Sequence, residues 1–169
     1  MYRRSLIYIG KTKSTNKMDN RDAAHSTAKK IAKEYFFNVN YNISFSYSKE
    51  YYAVILSDEN DVYIDIEKNI LSKLKFSKKI RFMQDRKLWT IKECASKVCR
   101  YGIVSILKDT KLTHIKNIAE YEIWEVSLDK KWYPQKIIII YKFVLEKIHV
   151  SFSIGTNKFT PLFIEVKNE

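Results

Sequence analysis

Apolar and polar positions along the chain repeat with two different periods, and the switches between them outline its elements. Leu6 to Ile9 is a short apolar run ending in Gly10 and reads as a strand, followed by a polar loop over Lys11 to Asn20. Ala24, Ala28, Ile31, Ala32 and Tyr35 then recur at helical spacing, which with Asn20 or Asp22 as cap predicts a helix over about residues 21–36. The period changes next. Ile43, Phe45 and Tyr47 alternate with Ser44, Ser46 and Ser48, and Tyr52 to Ser57 follows a polar turn around Lys49 and Glu50, so this stretch predicts a β-hairpin. After a turn at Asp58 to Asp61, a third strand is expected over 62–67, with Val62, Ile64 and Ile66 on one face and Tyr63, Asp65 and Glu67 on the other. Residues 69–80 fit a short helix or an irregular link.

In the second part, Leu88, Ile91, Ala95, Val98 and Cys99 outline a helical face over 85–100, with Gly102 placed to stop it. Tyr121 to Leu128, Lys136 to Leu145, His149 to Ile154 and Phe163 to Val166 are rich in Ile, Val, Tyr and Phe and read as strands. The order is strand, helix, strands, twice over. It predicts an α+β fold of two pseudo-symmetric halves, each a helix packed on a small, mostly antiparallel sheet. A single domain over residues 1–169 is expected, the first half covering about 1–60 and the second about 61–169.

Composition narrows the class. A chain of 169 residues that is 46% hydrophobic buries one sizeable core, and 3 Gly and 2 Pro rule out a linker or low-complexity tail. Cys94 and Cys99 are five apart on the second helix and point in different directions, so no disulfide is expected. His25, His114 and His149 are scattered and no Cys pair has zinc-ligand spacing, so no structural zinc is expected either. Met1 to Gly10 lacks the features of a secretory signal, and Ile137 to Leu145 is too short to span a bilayer, which predicts a cytoplasmic protein without a membrane partner. The 31 Lys and Arg against 19 Asp and Glu give a net charge of +12, a field that favours an anionic partner; the abundance of Lys, Ile, Asn and Tyr is equally that of a low-GC genome.

Two places concentrate candidate chemistry. Asp65 and Glu67, two apart on one strand, send both carboxylates to the same face, where they can share a cation; oxygen donors of this hardness suit Mg²⁺. An ordinary exposed polar strand face has the same pattern. Trp89, Glu93 and Lys97 lie on one helical stripe, and Glu93 with Lys97 is also the i, i+4 ion pair that stabilises any helix.

The run Asn42-Ile43-Ser44-Phe45-Ser46, the acid pair in Tyr63-Ile64-Asp65-Ile66-Glu67-Lys68, and Trp89-Thr90-Ile91-Lys92-Glu93 with Lys97 resemble, in order and rough spacing, the three signatures of the 4′-phosphopantetheinyl transferase superfamily. The third is the most specific, with Lys92, Glu93 and Lys97 in register. Asp22-Ala23-Ala24-His25 resembles the Asp-Ala-His start of the first helix in the surfactin-synthetase-activating type. The resemblance covers about Asn42 to Gly102.

It implies transfer of the phosphopantetheine arm of coenzyme A to a serine of an acyl- or peptidyl-carrier protein. Asp65, Glu67 and Glu93 would hold Mg²⁺, Glu93 would take the serine proton, and Lys97 would neutralise the leaving 3′,5′-ADP. Ser44, Lys92, Lys97 and His25 would contact coenzyme A. The implied partner is an acidic carrier protein met by a monomer, with no nucleic acid. Three departures stand out: Phe45 replaces the signature histidine that contacts the 3′-phosphate, Tyr63 replaces a glycine, and the Gly-Lys-Pro segment before the first signature is absent. With His25, Lys29 or Arg21 as its substitute contacts, the chain fits an active transferase. The alternatives are the same fold with a lost or altered activity, and a basic nucleic-acid-binding domain whose Tyr and Lys residues stack on bases and contact phosphates.

Overall fold

The computed structural model describes residues 5–68, 88–100, 110–128, 137–154 and 166–168, which form an α+β fold of two helices and two mostly antiparallel sheets. In chain order the elements are β1 (Ser5–Lys11), α1 (Lys17–Tyr35), β2 (Asn42–Ser48), β3 (Tyr51–Ser57), β4 (Tyr63–Lys68), α2 (Trp89–Cys99), β5 (Thr110–Ile118), β6 (Tyr121–Leu128), β7 (Ile137–Leu145), β8 (Ile148–Ser153) and β9 (Val166–Asn168). They divide into two compact units, one of residues 1–66 with 154–169 and one of residues 67–153. Strand β9 belongs to the first unit, where it pairs with β1.

The first unit is built on a four-stranded sheet of order β2-β3-β1-β9, in which β1 and β2 pair antiparallel with β3 and β9 pairs parallel with β1. One face of this sheet, through Leu6, Tyr8, Tyr52, Val54 and Leu56, receives Ala24, Ala28 and Ile31 of α1, with Phe36 closing the end. Two small alanines at i and i+4 let the helix approach the sheet closely. The helix begins earlier than its hydrophobic period shows. Asn16 is its cap, the side chain accepting the amide of Met18 at 3.0 Å. Asn20 and Asp22, the two expected caps, both lie inside the helix; Asn20 is buried there, its amide oxygen accepting from the Thr12 hydroxyl and its amide nitrogen donating to the Lys49 carbonyl. This ties the loop after β1 and the start of α1 to the β2–β3 turn.

In the second unit, β5 to β8 form an antiparallel meander in which each strand pairs with the next. Helix α2 buries Thr90, Ile91, Cys94 and Ala95 against β7 and β8, and the Ser151 hydroxyl bonds that of Thr90 at 2.8 Å. The opposite face carries a ring cluster of Tyr121, Tyr141, Phe143 and Phe152, with centroids 5.2 to 6.2 Å apart. Arg100, at φ 58°, ends α2, two residues before Gly102, which lies outside the described residues together with the link at 69–80. Strand β5 has no counterpart in the hydrophobic pattern. The last strand occupies 166–168, against the expected 163–166, of which 163–165 are also outside the described residues.

Candidate functional site

The acid pair of β4 is not on a solvated face. Ile64, Asp65, Ile66 and Glu67 are all buried, with Asp65 5% and Glu67 7% exposed. A buried carboxylate is costly unless hydrogen-bonded, paired with a cation or protonated, and two of them on the same side of one strand raise that cost together. The alternation of β2 supplies part of the answer. Phe45 and Tyr47 pack toward the core beneath α1, which sends Ser44 and Ser46 to the other side. There the Ser44 hydroxyl accepts the Ile64 amide at 3.3 Å, and the Ser46 hydroxyl accepts the Ile66 amide at 3.1 Å. Ser46 also donates to Asp65 Oδ1 at 3.2 Å. The run that resembles the first signature is thus hydrogen-bonded along the strand that resembles the second.

The chemistry of the pair fits a hard divalent cation. Mg²⁺ is commonly bound by one or two carboxylates, completing its shell with water and substrate phosphate oxygens, so Asp65 and Glu67 are sufficient protein donors. Among the described residues, no three His, Cys, Asp or Glu side chains gather as a metal-holding group. Glu93, Lys92 and Lys97 lie on α2, half-exposed, with Trp89, Glu93 and Lys97 on successive turns beside the buried face of Ile91, Cys94 and Ala95.

His25 is exposed on α1, and its ring lies 4.5 Å, centroid to centroid, from that of Phe45. One turn earlier, Arg21 faces Tyr47: burial pushes the Tyr47 phenol up, and the positive charge of Arg21 pulls against it. Lys29, one turn after His25, is also exposed. Arg21, His25 and Lys29 therefore repeat every four residues along one side of the helix, with His25 packed on the Phe45 ring of β2.

Two features escaped the reading of residue types. The Ser46–Asp65 bond has a signal in the alternation of Ser44, Ser46 and Ser48 opposite the apolar positions. The second is a polar network across β5, β6 and β7. Lys142, only 2% exposed, lies 3.2 Å from Glu122, which also accepts from Trp124 Nε1 at 2.9 Å. The His114 ring meets Trp124 edge-on at 5.1 Å, and its Nε2 is 2.8 Å from Asn117 Oδ1. A bulge between His114 and Lys116 makes that last contact by shifting the register by one residue.

In comparison with known proteins, the chain matches no family model and no curated sequence.

Proposed function

We propose that this protein is a Mg²⁺-dependent 4′-phosphopantetheinyl transferase that acts on the serine of an acidic acyl- or peptidyl-carrier protein, with the two-halved fold of that superfamily. The observation that carries the reading is the buried carboxylate pair Asp65 and Glu67, with Asp65 hydrogen-bonded by a serine of the strand that resembles the first signature. A merely polar strand would expose these side chains. Two carboxylates held side by side below the surface are the oxygen donors that a hard divalent cation takes.

In this reading Asp65 and Glu67 would hold Mg²⁺, two carboxylates being sufficient beside water and phosphate oxygens, and the resemblance implies Glu93 as a third acid. When bound, the ion neutralises the pyrophosphate of coenzyme A. Glu93 takes the proton of the carrier serine, whose oxygen forms a bond to the phosphorus bearing the pantetheine arm. The bridging P–O bond breaks, and 3′,5′-ADP leaves with its charge balanced by Lys97. Ser44 and Lys92 contact the cofactor. His25 takes over the 3′-phosphate contact: a phenyl ring at position 45 cannot donate a hydrogen bond, but it provides a floor for the imidazole that lies 4.5 Å above it.

The test is intact-mass spectrometry of apo carrier proteins incubated with coenzyme A, Mg²⁺ and the protein. A gain of one phosphopantetheine is expected, abolished by EDTA and reduced at least about a hundredfold in rate by Glu93→Ala. No gain on any carrier, with no binding of coenzyme A, would move the assignment to a relative of the same fold with an altered ligand.

A further inference from the structure

We infer that Ser46 is a positioning residue for the Asp65 carboxylate, fixing the orientation in which it meets a bound cation. The inference rests on the reading of Asp65 and Glu67 as cation ligands. A serine hydroxyl has one proton and two acceptor lone pairs. In Ser46 an acceptor site is filled by the Ile66 amide at 3.1 Å, while the hydroxyl proton is directed to Asp65 Oδ1 at 3.2 Å. The hydroxyl thus holds two consecutive residues of β4, one through its backbone and one through its carboxylate. Because Ser46 and Asp65 are each 5% exposed, bulk water does not compete for these bonds. Engaging Oδ1 as an acceptor restricts rotation of the carboxylate and so fixes the direction from which a cation can meet it.

Ser44 provides an internal comparison. Its hydroxyl accepts the Ile64 amide at 3.3 Å, one step earlier along the same strand, and so fastens β4 to β2 in the same manner. The bond to the carboxylate belongs to Ser46. If the serines served only to fasten the strands, removing either would have the same consequence; if Ser46 positions the carboxylate, only its removal changes how a cation binds.

Mn²⁺ is the probe, because its binding is read directly by electron paramagnetic resonance without coenzyme A, carrier or turnover. The wild-type protein is expected to bind Mn²⁺, and Asp65→Asn to lose that binding. Ser46→Ala is expected to weaken it roughly tenfold or more, the usual effect of losing a hydrogen bond to a metal ligand. Ser46→Thr, which keeps the hydroxyl, is expected to restore it, and Ser44→Ala to stay within about twofold of wild type. Melting curves on the same samples show whether each variant is folded at the titration temperature. Equal Mn²⁺ affinity in Ser46→Ala and wild type, or equal weakening in Ser44→Ala and Ser46→Ala, overturns the positioning role and leaves the transferase reading standing. A wild-type protein that binds no Mn²⁺ overturns the cation site itself, and with it both readings.

Discussion

Gly10 faces Tyr52 across the β1–β3 pair, and the absence of a side chain there is what lets the tyrosine ring lie over the strand. A methyl group at Gly10 would come within 2.6 Å of three Tyr52 atoms, closer than real Cβ contacts allow. Tyr52 has little freedom to yield. It is buried in the core under α1, stacks on Tyr8 with centroids 6.1 Å apart, and shares a 2.9 Å hydrogen bond with the Thr27 hydroxyl. Gly10→Ala is therefore expected to destabilise the first unit by about 1–3 kcal/mol, the cost of overpacking a closed core. Urea denaturation followed by circular dichroism checks this, and an unchanged midpoint would mean that Tyr52 swings aside. The close approach was not legible in the sequence, where Gly10 reads only as the end of a strand, because a cross-strand partner is set by register.

At the scale of elements, the polar network of β5 to β7 makes a prediction about pH. Burial alone would raise the Glu122 carboxyl; the Trp124 hydrogen bond, the hydrogen bond and charge of Lys142, and the charge of His114 outweigh it and hold the group below its ordinary value of 4.5. A carboxylate whose value is lowered on folding contributes stability that is present above the unfolded value and lost as pH falls through the folded one. Wild type should therefore lose part of its stability as pH falls below about 4.5, and Glu122→Gln should flatten that part of the profile. At neutral pH the same variant should be less stable than wild type, because it leaves the Lys142 ammonium buried without its counter-charge. Urea midpoints of both proteins from pH 7 to pH 3 measure the two effects, and parallel profiles would refute them. Of the strands in this network, β6 and β7 were legible from their β-branched and aromatic content. β5 was not. From Thr113 to Ile118 each of its residues is exposed, so neither face imposes the apolar alternation by which a strand is read. The first turn of α1 was missed for a related reason: Lys17, Met18 and Asp19 are exposed, and the hydrophobic period starts only where the helix meets the sheet. Strand β4 was legible as a strand but its burial was not, since with both faces buried it carries acids where alternation reads a solvated side.

Across the whole molecule, the residue types of the candidate site were legible while their burial was not. Asp65, Glu67, Glu93 and Lys97 stand out by spacing, but the hydrogen bond that holds Asp65 joins residues 19 positions apart and depends on how β4 lies along β2. The net charge of +12 is legible too, yet it has two explanations, a compositional habit and a field that draws an acidic partner. Ionic strength separates them. Between about 0.1 M and 1 M salt the screening length falls from about 10 Å to about 3 Å, which removes long-range attraction while leaving chemistry at a buried site much less affected. If the protein is the proposed transferase and its excess charge steers the carrier, kcat/KM for an acidic carrier at saturating coenzyme A should drop at least roughly tenfold over that range, with kcat changing far less. A carrier variant with several surface acids neutralised should begin near the lower value and show a shallower slope. Equal, flat dependence for both carriers would assign the lysines to composition and place carrier recognition in short-range contacts.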